Sequence, residues 1–247
     1  ATNITYTPPT DTVGIIYYYI VITFTSGGCS EIVSNTAMIE IVEGPQIDTQ
    51  PIVTQSICIG GLSEELTVTN TGGTGNITYQ WYSNTTSSTT GGTLIAGATN
   101  STYTPPVFNT TGTYYYYVVI SIDGSGCADT TSDVAEIIVV DDPVVNSQPI
   151  VSQELCQNAI PEDLEVTITG GLGNISYQWY SNTTNSTTGG ILITGATNST
   201  YTPPTNTIGT MYYYSVITQD VSGCSTVSET GEVIVLSAPT IVDQPLS

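Results

Sequence analysis

The chain has 247 residues, with 21 Asp and Glu against no Lys, Arg or His, a formal charge of −21 at pH 7. With no cationic side chain there is nothing to grip phosphates, which excludes nucleic-acid binding and attraction to an anionic membrane surface. Ser-His-Asp and Cys-His machinery and any Lys nucleophile are excluded on the same ground.

Along the chain the dominant feature is repetition. Residues 2–42, "TNITYTPPTDTVGIIYYYIV…", match 99–140 and again 197–236. A second block, "QPIVTQSIC" at 50–58, returns as "QPIVSQELC" at 148–156. The divisions that follow are 1–44, the back part of a repeat; 45–142 and 143–238, complete repeats; and 239–247, the opening of a further one. Residues 1–9 show neither the basic nor the apolar run of a signal peptide. The expectation is a window on a longer array.

Within one repeat the apolar period is two, which predicts strands. They fall at 66–69 (164–169 in the next repeat), 77–82, 93–95, 101–104, 113–121 and 135–140. Gly- and Asn-rich stretches such as "TGGTGN", "TTGG" and "DGSG" read as turns between them. Pro105 and Pro106 end a strand because neither can donate to a ladder. The 17 Tyr and two Trp fall in these periodic clusters, which argues against disorder. No apolar run is long enough to span a bilayer as a helix. The class expected is all-β, an antiparallel β-sandwich in each repeat.

The longest strand sets the inner face. Ile16-Tyr18-Ile20-Ile22, Tyr114-Tyr116-Val118-Ile120 and Met211-Tyr213-Ser215-Ile217 form the phase assigned to the core. The other phase, with Tyr17, Tyr19, Tyr115, Tyr117, Tyr212 and Tyr214, is expected on an outer face with its hydroxyls in water. Trp81, Trp179, Tyr116 and Tyr213 are the candidate core anchors.

The series "YQWY", "GTYYYYVV" and a last β-branched strand resembles strands C, F and G of immunoglobulin-like domains. Taken whole, "YQWY…GG…I.GAT.STYTPP…GT.YYY…GC" resembles the bacterial Ig-like repeats of large secreted surface adhesins of Bacteroidetes, including gliding-motility adhesins. That resemblance implies tandem Ig-like sandwiches at the cell surface, outside the cell. Where antibody-type domains carry a Cys on strand F, this chain has Tyr116 and Tyr213, so that inter-sheet bridge cannot form.

Each complete repeat holds one Cys before its first core strand and one in the loop before its last. Pairing within repeats gives Cys58–Cys127 and Cys156–Cys224, and leaves Cys29 unpaired in this window. Disulfides in turn imply an oxidising compartment. With no His and no CxxC, metal binding by these cysteines is not expected. No cofactor is implied; calcium is the one metal left open, at Asp141-Asp142-Pro143. The acidic pairs Glu64/Glu65 and Glu162/Asp163 recur in both repeats and read as structural, so no enzyme is expected. Asn-x-Ser/Thr occurs at Asn3, Asn76, Asn84, Asn100, Asn109, Asn174, Asn182, Asn185 and Asn198. The Bacteroidetes O-glycosylation consensus is similar to Asp11-Thr12-Val13 and Asp129-Thr130-Thr131, which makes Thr12 and Thr130 candidate acceptors. The stretch "SNTTSSTTGG" reads as a solvated loop, with sugar or surface binding as its functional alternative.

The function expected is a structural stalk or filament segment of a long extracellular adhesin, giving reach and resistance to trypsin-like proteases. Its partners would be neighbouring repeats of the same chain, with glycans or other surface proteins as further partners. The alternatives are a glycan- or surface-binding module, or an accessory region of a larger secreted enzyme.

Overall fold

The computed structural model describes residues 1–28, 30–123 and 126–240. Cys29 and residues 241–247, on which the expected orphan thiol and most of the further repeat fall, lie outside the described residues. Every regular element among the described residues is a strand. No helix among them is long and apolar enough to cross a membrane.

Residues 1–44 form β1 (Gly14–Tyr18), β2 (Val21–Ile22), β3 (Ile32–Val33) and β4 (Ala37–Ile41). The next repeat begins with β5 (Gln46–Thr49), β6 (Thr54–Cys58), β7 (Leu66–Thr67), β8 (Thr69–Thr71) and β9 (Asn76–Asn84). It continues with β10 (Thr93–Leu94), β11 (Thr102–Tyr103), β12 (Gly112–Asp123), β13 (Thr130–Thr131) and β14 (Ala135–Val140). The following repeat copies the series as β15 (Val144–Ser147), β16 (Ser152–Cys156), β17 (Leu164–Glu165), β18 (Thr167–Thr169) and β19 (Ile175–Asn182). It ends with β20 (Ile191–Leu192), β21 (Thr200–Tyr201), β22 (Gly209–Gln219), β23 (Ser225–Val227) and β24 (Gly231–Leu236).

The sheet order β10-β9-β12-β14-β6 in one repeat returns as β20-β19-β22-β24-β16 in the next, with β13 on β12 and β23 on β22. Short ladders, β5–β8 with β7–β11 and β15–β18 with β17–β21, complete the sandwiches. The strand that carries the first Cys of each complete repeat departs from the antiparallel expectation. β6 runs along β14 in the same sense, with the Glu136 N–H on the Val53 carbonyl (2.8 Å) and the Ile59 N–H on that of Val140 (3.0 Å). β16 runs parallel to β24, from Ser152↔Glu232 to Cys156↔Leu236.

Period two explains the core. Along β14, Ala135, Ile137 and Val139 are buried while Glu136, Ile138 and Val140 are only half-buried. Trp81 and Trp179 are fully buried, and each indole N–H donates to a backbone carbonyl, of Asn100 and Asn198, at 2.9 Å. That bond removes the penalty for burying the one polar atom of the ring. Tyr116 and Tyr213 are buried too.

Contacts group the chain into two compact units. The first comprises Ala1–Val53, Glu65–Thr104 and Tyr115–Glu136. Its β1–β4 and β2–β3 ladders are each two-stranded. Ile20 and Ile22, expected inside, are exposed. The second unit comprises Thr54–Glu64, Pro105–Tyr114 and the chain from Ile137 on. Its core gathers Leu164, Val166, Trp179, Tyr213, Val233 and Val235. The second unit therefore takes in one end of the repeat 45–142 together with the repeat that follows it.

On the outer tyrosine face Tyr17 and Tyr19 are exposed as expected, but two positions depart from the sequence reading. Tyr117 and Tyr214 are 4% and 3% exposed, not solvated. Tyr82 stacks on Tyr117 at 5.1 Å and Tyr180 on Tyr214 at 5.3 Å. The Asn/Thr loop lies over them so closely that a Cβ on Gly92 or Gly190 would come within 2.7 Å of the phenol oxygen.

Candidate functional site

Two features are built alike in both repeats and could act on something outside the fold: the Asn/Thr loop and the cysteine ends. In the loop, Asn84 Nδ2 donates to the carbonyls of Ser88 (2.8 Å) and Thr90 (3.1 Å). Its Oδ1 accepts from the Thr85 N–H at 2.8 Å. Asn182 repeats this with Ser186 (3.0 Å) and Thr188 (3.1 Å). The side chain thus replaces ladder bonds that the turn cannot make. "SNTTSSTTGG" is a self-satisfied lid on the tyrosine stack, and the amide nitrogens of these two sequons already serve the fold.

The acidic pairs pin strand starts. Gln55 exchanges two bonds with the backbone of Glu64, at 2.7 and 3.2 Å. Gln153 does the same for Glu162, both at 3.0 Å. The carboxylate of Asp163 accepts from Thr202, and that of Glu65 from Thr104. Thr12 is exposed just ahead of β1, whereas Thr130 is half-buried and paired with Ile120 in β13. Of the two candidate acceptors, Thr12 is the open one. Tyr213 has its phenol pushed up to about 12, by burial first and then by its neighbour Tyr201.

The cysteines are paired differently from the expectation. Cys58 is bonded to Cys224, at a sequence separation of 166 and a Cα–Cα distance of 5.5 Å. Neither Cys58–Cys127 nor Cys156–Cys224 forms. The reason is strand direction. Cys156 pairs with Leu236 at one end of its sheet, beside the Val235↔Gly209 pair. Cys224 sits at the other end, where its carbonyl accepts from the Gln219 N–H (2.9 Å). Gly209 and Gln219 are the two ends of β22, which at ~3.4 Å per residue puts them about 34 Å apart. A disulfide cannot reach across a Cα separation above about 7 Å.

Cys58 is likewise at the far end of its own repeat, where the Ile59 N–H donates to the Val140 carbonyl (3.0 Å). Chain direction brings that end to the β22–β23 loop of the following repeat, which carries Cys224. Asp142 joins the two sulfurs, the three ligand atoms lying within 4.8 Å of one another. With both sulfurs in a disulfide and one carboxylate beside them, this set does not suit calcium, which takes six to eight oxygens.

A family model described as "Domain of unknown function (DUF8696)" matches residues 51–141 and again 147–237. The chain belongs to this family. The first DUF8696 copy contains Cys58 and Cys127 and the second contains Cys156 and Cys224, so the observed bond joins one copy to the next. No curated protein matches the chain. Among solved structures it is similar to the fibronectin(III)-like modules of Clostridium thermocellum CbhA, at 14% identity over 82% of this chain and 100% of that one, TM-score 0.43. It is similar to extracellular domains 3–5 of Drosophila OTK, at 14% over 90% and 71%, TM-score 0.47. Sidekick-1 immunoglobulin domains 1–4 give 14% over 93% and 60%, TM-score 0.41. The described residues are all-β, and the chain is built of tandem β-sandwich repeats of this family.

Proposed function

We propose that this chain is a non-catalytic, load-bearing stretch of an extracellular stalk, belonging to a long repetitive surface protein of adhesin type. The observation that carries this reading is the Cys58–Cys224 bond from one repeat into the next. A bond inside a repeat stabilises that repeat; a bond between repeats restrains how they part and turn, which serves a structure whose task is to hold distance. In the chain-entropy model, closing a loop of this size stabilises the folded state by about 5 kcal/mol. Such a bond persists in an oxidising setting and is rare in the cytosol. The absence of Lys and Arg removes every trypsin-type cleavage site, which suits long exposure outside a cell. The formal charge of −21 adds mutual repulsion, which discourages collapse and association.

The Asn/Thr lids spend the amides of Asn84 and Asn182 on the fold, which favours a scaffold over a sugar-binding face. Electron microscopy of the native protein tests the reading. The expected image is a row of beads; a compact globule would overturn it.

A further inference from the structure

We propose that Cys156 makes a second link of the same kind, bonding the Gly-Cys loop of another DUF8696 repeat. The chain itself holds the precedent one repeat earlier. Around Cys58, the Ile59 N–H donates to Val140 (3.0 Å) and the Gly60 N–H to Phe108 (2.8 Å). Around Cys156, the Gln157 N–H donates to Leu236 (2.8 Å) and the Asn158 N–H to Thr205 (2.9 Å). The turns close identically, with Gly61 N–H on the Cys58 carbonyl (2.9 Å) and Ala159 N–H on that of Cys156 (3.0 Å). Backbone frames this alike aim the two Cβ atoms the same way off the sheet end.

At the first position a loop cysteine of the following repeat is bonded. At the second, Cys156 is an exposed free thiol. The surroundings differ in the same sense. Val140 is half-buried, while its counterpart Leu236 is 44% exposed. The occupant that fits is the loop already seated on Cys58, "VSGC" at 221–224, whose other copies read "SGGC" at 26–29 and "GSGC" at 124–127. The Ser222 carbonyl of that loop lies 3.6 Å from the Cys58 sulfur, so the loop meets the sheet end through its backbone as well as its thiol.

A low-molecular-weight disulfide such as oxidised glutathione balances the chemistry. The Cys156 thiolate attacks one sulfur of it, forming a mixed disulfide and releasing one glutathione thiolate. The incoming loop thiolate then attacks the Cys156 sulfur and displaces the second glutathione. Two thiols and one disulfide become one protein disulfide and two reduced glutathiones.

This inference deepens the stalk reading and can fail without it. The test incubates the full chain with its Cys58→Ser variant, whose Cys224 loop thiol is released from the first link, at high concentration in a glutathione redox buffer. Covalent species are then separated without reductant, and the joined peptides are identified by mass spectrometry. Species joining Cys156 of one copy to a Gly-Cys loop of another are expected, and Cys156→Ser should remove that joined peptide while leaving Cys58–Cys224 in place. Cys156 recovered alkylated, carrying glutathione, or joined to Cys156 of a second copy would overturn the inference and leave the stalk reading standing. Loss of Cys58–Cys224 itself under these conditions would remove both.

Discussion

At the scale of single residues, Ser215 is the clearest departure from a well-made core. It is 0% exposed, and its hydroxyl has no hydrogen-bond partner among the described residues. The equivalent position one repeat earlier is Val118, also fully buried. Both positions receive the same bond at the backbone, Ser132 Oγ accepting from the Val118 N–H and Ser228 Oγ from the Ser215 N–H. The valine shape is thus already proven in this setting. Ser215→Val should raise stability by about 1–2 kcal/mol, since it removes an unsatisfied buried hydroxyl and adds apolar burial. A denaturation midpoint that falls or stays put would contradict this. The anchors Trp81, Trp179, Tyr116 and Tyr213 could be read from the period of two alone. The burial of Tyr117 and Tyr214 could not, because the lid over them comes from a polar loop with no apolar signal of its own.

At the scale of elements, that lid depends on a backbone approach only glycine permits. A Cβ on Gly190 would meet the Tyr214 ring and phenol at 2.7–2.8 Å and the Ser181 carbonyl at 3.1 Å. The ring is held by its stack on Tyr180, and the carbonyl belongs to β19, so neither can yield freely. Gly190→Ala should therefore cost roughly 1–3 kcal/mol, the usual range for overpacking. It should also change the near-ultraviolet circular dichroism as the tyrosine pair separates; an unaltered spectrum and midpoint would argue against a close-fitting lid. The strands β9, β12 and β14 were legible because each alternates against a solvated or half-covered face. β6 and β16 were not, since "TQSIC" and "SQELC" alternate weakly and lie parallel to the last strand of their sheets. That unseen strand is also why the cysteine pairing was misread. Equal spacings of thiols fit pairing within a repeat and pairing between repeats equally well, and only strand direction separates the two.

At the scale of the whole molecule, the bond between Cys58 and Cys224 alters what tension can do. When the two ends of the chain are pulled apart, force passes through the sulfurs and bypasses everything between them. That bypassed stretch follows from the sequence separation of 166 and, at ~3.4 Å per extended residue, amounts to roughly 560 Å of chain. Single-molecule stretching should find the fully unfolded oxidised protein shorter than the reduced one by about that length; equal lengths would mean the bond does not form in solution. A second bond at Cys156 would overlap the first, since that cysteine lies inside the stretch already closed off. Overlapping links of this kind would leave no residue between Cys58 and the far end of the second link outside a closed ring. A string of ordinary sandwich domains yields to a sharp tug by unravelling one bead at a time, lengthening as it dissipates the shock. A string stapled across its joints would keep its length and pass the jolt directly to whatever it is fastened to.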